Sequence, residues 1–189
     1  MNFIVHTAET APDAAQETLK AAEKSMGFLP NLLGVLAEAP IALKAYLDLT
    51  DLLDQSSLSP VARQVLMLAI SHENSCEYCM AAHSTVAGMV GMARPVLTAL
   101  RNGTPIPDMK LEALRSFAVE VVLTRGRVDA PRVAEFLAAG YTRQNILEVV
   151  FGVAMKTLSN YASHLTHTPI DGEFLPQTWS SVRVSPAIA

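Results

Sequence analysis

Both cysteines of the chain and one of its five histidines fall in the ten residues SCEYCMAAHS, 75–84. Cys76 and Cys79 are three apart, and His83 lies four beyond Cys79. On a helix these offsets put all three side chains on one face. Cysteines at this spacing reach disulfide geometry with small backbone adjustment. An imidazole one turn along can accept or return a proton as a thiol reacts. Asn74 and Ser75 are capping residue types and mark a helix break followed by a new start. With Ser75 as the N-cap, Cys76 takes the first helical position and Cys79 the fourth. Unpaired N–H groups and the helix dipole favour negative charge there, and thiolate is the reactive form of cysteine. The pattern suits dithiol chemistry, in which one cysteine attacks, the other resolves and the histidine manages protons.

Other readings of the same residues have to be weighed. A cysteine is often just a small buried residue, but a pair at CxxC beside a helix break, in a chain with no others, points to function. Cys76, Cys79 and His83 with His72 as a fourth ligand would make a zinc site. There is no second CxxC, however, and a chain of this size needs no metal staple. A thioredoxin-like CxxC rides on a βαβ scaffold, and no strand-length alternation of apolar and polar residues occurs here.

The elements that must position this motif read as helices almost throughout, rich in Ala, Leu and Met. Ala11-Pro12-Asp13 opens a helix that runs to about Ser25 and stops at Gly27. A short apolar segment follows Phe28-Leu29-Pro30-Asn31, and Pro40 starts a helix reaching about Leu53. Ser59-Pro60 pairs an N-cap with proline at the first helical position and begins VARQVLMLAISHE. The cysteine helix ends near Gly88 or Gly91, and a short helix covers Arg94 to Arg101. Beyond the Pro105 and Pro107 linker come helices from Asp108 to Arg125, from the cap Asp129 to Gly140, and from the cap Thr142 to the segment before Pro169. The expected architecture is all-α, a compact bundle of about eight helices in one domain, 1–189. The motif core is about 59–91, and a tail, 168–189, is expected to be extended. Trp179 is expected to anchor that tail on a neighbouring subunit.

Composition narrows the function. The net charge is −4 and basic residues are scattered, so there is no positive footprint for nucleic acid. No glycine-rich phosphate loop appears, and no cofactor is expected. Half of the residues are hydrophobic and mean hydropathy is +0.27, an excess that implies a large core or a subunit interface. No run approaches the ~20 apolar residues of a membrane span. The N-terminus lacks a signal-peptide pattern, and a cytoplasmic location is expected.

NSCEYCMAAHS together with the preceding SP…ARQVLMLAISHE resembles the core motif of the alkylhydroperoxidase D / carboxymuconolactone decarboxylase family. MGFLPNLLGVLAEAPIALKAYLDL resembles the N-terminal region of its peroxidase-related branch, and SNYASHLTHTPID its C-terminal helix, so the likeness runs from about residue 12 to 171. The resemblance implies an all-helical fold, assembly into homotrimers or homohexamers, and peroxidase or disulfide-reductase chemistry. It implies that Cys79 attacks a hydroperoxide, Cys76 resolves and His83 serves a proton relay. A thioredoxin-like or lipoyl-bearing protein would be the reductant. Two positions depart from the family's peroxidase pattern. Gln64 stands where a relay glutamate is expected, and Tyr78 where a histidine precedes the second cysteine. Glu73 and His72 are the residues nearest in sequence that could replace the lost carboxylate, Glu73 reading equally as a solvated charge at a helix end.

Asn160, Tyr161 and His164 share the last helix, with Asn160 and His164 on one face; the segment reads either as a neighbour of the cysteine site or as a polar helix surface. His6 and His167 carry no signal. Met67, Met80, Met89, Met92 and Met155 read as core or interface filler. The expected function is a thiol-dependent peroxidase-like oxidoreductase. The alternatives are a non-enzymatic redox-sensing or assembly module and a structural zinc protein.

Overall fold

The structure is a computed structural model describing residues 3–181. Nine α-helices and one short 3-10 helix make up its regular structure, and no strand occurs among the described residues. The order is α1 (Asp13–Met26), α2 (Asn31–Leu36), α3 (Pro40–Asp54), α4 (Pro60–Glu73), α5 (Glu77–Met89), α6 (Arg94–Asn102), α7 (Met109–Thr124), α8 (Ala130–Ala138) and α9 (Arg143–Thr166), followed by the 3-10 helix Gly172–Gln177. The extra α-helix over the expected eight is α2, whose six residues are nearly all buried.

Local chemistry sets the boundaries. The Ser59 hydroxyl accepts from the Ala62 N–H at the start of α4, with Pro60 at the first position. Asp108, Asp129 and Thr142 cap α7, α8 and α9 in the same way. Thr142 and Asn145 form a reciprocal capping box. Gly27 ends α1 in the left-handed conformation that glycine adopts without a Cβ penalty.

α4 is the central element. Val65, Leu66, Met67, Leu68, Ala69 and Ile70 are all buried in it, so it is apolar on every side and needs neighbours all round. It packs against α5, α6, α7 and α9. Two cores result. The larger surrounds α4 with side chains from α6 to α9, and includes the stacked rings of Phe117, Phe136 and Tyr141. The smaller joins α1, α2 and α3 to the first turns of α5, and both cysteines belong to it.

The tail departs from the expected extended form. Residues 172–177 wind into the 3-10 helix, which packs on α5, and Phe174 meets the rings of Phe28 and Tyr78 edge-on. Trp179 packs on its own chain. Its indole N–H donates to the Arg101 carbonyl at 2.8 Å and its ring lies 5.4 Å from that of His72. Arg101 in turn donates to the Gln177 and Thr178 carbonyls, so the tail is fastened to α6 of its own chain. Residues 182–189 of the expected tail lie outside the described residues.

Candidate active site

The α4–α5 junction shapes the site. Ser75 takes a positive φ of 56°, and the chain turns sharply enough for the Cys76 N–H to reach back to the Ser71 carbonyl at 2.9 Å. The N-cap of α5 is therefore Cys76 itself and not Ser75, one residue later than the sequence pattern implied. The Cys76 sulfur accepts the Cys79 backbone N–H at 3.4 Å, the job that a serine or aspartate oxygen usually does. Both cysteines are reduced and buried.

The two thiols are unlike. A hydrogen bond from the Cys79 thiol is the largest influence on Cys76. Against the cost of burial, the Lys156 charge, the Cys79 N–H and the Ser163 hydroxyl add to it, and the Cys76 pKa falls to about 6. Burial and its donation to Cys76 push Cys79 well above the ordinary thiol value. A sulfur that accepts both an N–H at a helix start and a neighbouring thiol is the one that ionises. The lower pKa thus belongs to Cys76, whereas the resemblance gives the attacking role to Cys79.

Behind the pair stands a residue that the sequence reading passed over. Lys156 on α9 is completely buried, and its Nζ lies 3.0 Å from Nε2 of His83. Burial works against its charge, but the cysteine pair and Tyr46 outweigh it, and the pKa ends above the usual lysine value. His83 is driven well below its ordinary value, first by burial and then by Lys156, so the ring is neutral. An ammonium can only donate, so Nε2 accepts. Nδ1 therefore carries the proton and gives it to Gln64 Oε1 at 3.0 Å. Lys156, His83 and Gln64 form one hydrogen-bonded line ending in a neutral amide. The signal that could have found Lys156 is a lone cation in the otherwise apolar run FGVAMKTL, four residues before Asn160.

Other predicted residues divide clearly. Asn160 joins the site: it hydrogen-bonds the Cys79 side chain, accepts from Asn74 at 2.9 Å and touches Ser71. Tyr78 supports from the side. Its hydroxyl donates to Asp171 at 2.6 Å and accepts from the Leu32 N–H at 3.2 Å, which ties α5 to α2 and to the cap of the 3-10 helix. Glu73 and His72 face the opposite flank of α4, beside Leu100, Gly103 and Arg115, where a Cβ on Gly103 would stand 2.5 Å from the His72 ring. Neither replaces the missing relay carboxylate, and His72 is not placed to complete a metal set. Among the described residues no group of three or more His, Cys, Asp or Glu side chains could hold a metal ion. His164 is exposed and lines an outer groove with Ser75, Ser163 and His167, apart from the buried line.

A cavity of about 450 Å³ opens beside the cysteine helix. Tyr46, Gln64, Met67, Tyr78, His83 and Met155 are among its walls. Carbon lines most of it, and His83 and Gln64 bring polar groups to its wall.

Fold and site together define a helical CxxC protein built like the alkylhydroperoxidase AhpD core. Residues 40–103 match the model of the Carboxymuconolactone decarboxylase family, so the resemblance read from the motif holds. The chain is similar to the alkylhydroperoxidase AhpD core of an uncharacterized peroxidase-related protein from Ralstonia eutropha JMP134, with 21% identity, 92% of this chain and 93% of that one covered, and a TM-score of 0.80. An uncharacterized peroxidase-related protein from Silicibacter sp. TM1040 matches at 19% identity over 88% and 89% of the two chains, with a TM-score of 0.76. The debrominase Bmp8, in a Cys-to-Ala variant complexed with 2,3,4-tribromopyrrole, matches at 17% identity over 94% and 96%, with a TM-score of 0.73. At these identities the likeness establishes the fold. No curated protein matches the chain significantly. Among the described residues no helix is long and apolar enough to cross a membrane.

Proposed function

We propose that this chain is a thiol-dependent oxidoreductase, peroxidase-like, which reduces an organic hydroperoxide at Cys76 and Cys79. The observation that carries the reading is the Cys76 sulfur at the N-cap of α5, hydrogen-bonded by its partner thiol and by the Cys79 N–H. The Cys76 thiolate attacks the terminal oxygen of R–O–O–H. An S–O bond forms, the O–O bond breaks, and the alkoxide leaves and is protonated. The Cys79 sulfur then attacks the sulfenic sulfur of Cys76, an S–S bond forms, and the hydroxyl departs as water with the Cys79 proton. A partner dithiol, thioredoxin-like or lipoyl-bearing, reduces the disulfide by exchange. This assigns attack to Cys76 and resolution to Cys79.

The apolar cavity favours a second substrate class for the same two-electron chemistry. Its methionine and tyrosine walls suit a flat aromatic ring, and the structural neighbour Bmp8 is a debrominase seen with tribromopyrrole. Reductive debromination would convert dithiol and aryl bromide to disulfide, arene and hydrogen bromide.

The test counts free thiols against time after a small excess of tert-butyl hydroperoxide or 2,3,4-tribromopyrrole is added to reduced protein. Wild type loses both thiols. Cys79→Ser loses one and holds a sulfenic acid on Cys76 that dimedone traps. Cys76→Ser loses none on that timescale. Thiols that persist for hours with both reagents overturn the proposal. Oxidation that changes the mass in solution, with no turnover when a dithiol is supplied, would make the chain a redox sensor.

A further inference from the structure

Lys156 is unusual on physical grounds alone. A buried ammonium costs several kcal/mol unless an anion offsets it, yet none of the ion pairs among the described residues includes Lys156. The titratable groups facing it are Cys76, Cys79 and His83 from α5 and Tyr46 from α3. α2 is NLLGVL and has none, and α4 contributes only the neutral Gln64, reached through His83. His83 accepts a hydrogen bond from Nζ and is neutral. The only anion within this set that a folded protein near neutral pH supplies is the thiolate of the cysteine pair. The fold also goes to some length to bring the lysine here. Gly152, one turn earlier on α9, lies so close to α4 that a Cβ would stand 2.6 Å from Leu66 Cδ2.

We infer that Lys156, which hydrogen-bonds the Cys79 side chain, and the thiolate of the cysteine pair are an internal ion pair that delivers both the electron pair and the proton for substrate reduction, and that oxidation to the disulfide leaves Lys156 neutral. The inference rests on the thiol reading above and deepens it. The balance closes without solvent. Cys–S⁻, R–O–O–H and Lys–NH₃⁺ give Cys–S–OH, R–OH and Lys–NH₂. The Cys79 thiol and that sulfenic acid then give the disulfide and water. With the thiolate gone, the Tyr46 phenol, which burial keeps protonated near neutral pH, supplies no anion in its place, and a buried lysine without an anion is a much weaker base. The relay thus runs from a cation, where a peroxidase with glutamate at position 64 would run to a carboxylate.

Two measurements test this. The first titrates the thiolate absorbance of reduced protein without oxidant, in wild type and in Lys156→Met, a side chain of similar length. Loss of the ammonium should raise the midpoint by about one unit or more, a roughly tenfold loss of thiolate below it. A midpoint that does not move overturns the inference whether or not any substrate reacts. The second counts protons when wild type carrying its thiolate is oxidised by tert-butyl hydroperoxide in weakly buffered solution near pH 7.5. No net uptake per disulfide formed is the expected result. Uptake of one proton per disulfide means that Lys156 stays charged and overturns the proton-delivery step, while the disulfide itself leaves the thiol reading intact.

Discussion

At the scale of single residues, the chemistry open to the site turns on Cys76 and Cys79 sharing one helix start with the buried Lys156 behind them. Cys76, Cys79 and His83 were legible because CxxC followed by histidine four later can be assembled by one helix, whatever packs against it. The difference in pKa between the two thiols was not legible. It depends on which sulfur caps the helix and on a lysine more than seventy residues away in sequence. The Cys76 pKa of about 6 sets a pH dependence with a definite sign. A depressed thiol pKa means that the reactive form is present above it, so the rate of thiol loss should rise with pH through about 6 and then level off. A rate still climbing through the ordinary thiol range would show that Cys76 is not the ionised sulfur. Gln64 gives a second prediction. Gln64→Glu places a carboxylate where the Gln64 amide oxygen lies 3.0 Å from His83 Nδ1, which raises the ring's basicity and replaces a neutral acceptor with a base. Peroxide-dependent thiol loss at pH 7 should accelerate, and an unchanged rate would show that His83 takes no part in proton transfer.

At the scale of elements, capping residues announced nearly every helix start. Ser59-Pro60, Asp108, Asp129 and Thr142 did so because an N-cap is a local contact, readable within four residues. The 3-10 helix and the docking of the tail were not readable in this way. They depend on Tyr78 meeting Asp171 and on Trp179 meeting Arg101, contacts separated by 93 and 78 positions. Gly152 belongs to the same hidden class, since glycine inside a helix reads as a weakness until the neighbouring helix is seen. Gly152→Ala should destabilise the protein by about 1–3 kcal/mol, because Leu66 at 2.6 Å and Met67 at 3.1 Å have no room to give in a closed core. It should also disturb the thiolate titration by shifting Lys156. Gly88→Ala in α5 is the matched control. Nothing stands within 4 Å of the added Cβ, and the change should stabilise by roughly 0.5–1 kcal/mol. Urea denaturation of both variants checks the contrast, and a Gly152→Ala as stable as wild type would mean that α9 does not need its close approach to α4.

At the scale of the whole molecule, the reactive pair sits in the smaller core, where α5 meets α1, α2 and α3, while its charge partner comes from α9, which also packs against α4 and α7. The protonation state of the site is therefore tied to global stability. A group whose folded pKa is depressed adds stability above its unfolded pKa and loses it as pH falls through the folded value. For Cys76 that window runs from the ordinary thiol range, about 8.5, down to about 6. Lys156 is shifted upward, so its contribution is complete below its unfolded value and is lost only at higher, alkaline pH. Cys76→Ser isolates the thiolate, because serine is itself a good N-cap and keeps the Cys79 N–H satisfied. Reduced wild type should therefore unfold at a higher temperature than reduced Cys76→Ser at about pH 8.5. The gap should shrink steadily as pH drops, and little of it should remain below about 6. Calorimetry of the two proteins across that range, with a reductant present throughout, measures it directly. A gap that stayed constant with pH would place its origin in packing and would separate the thiolate from the stability of the fold.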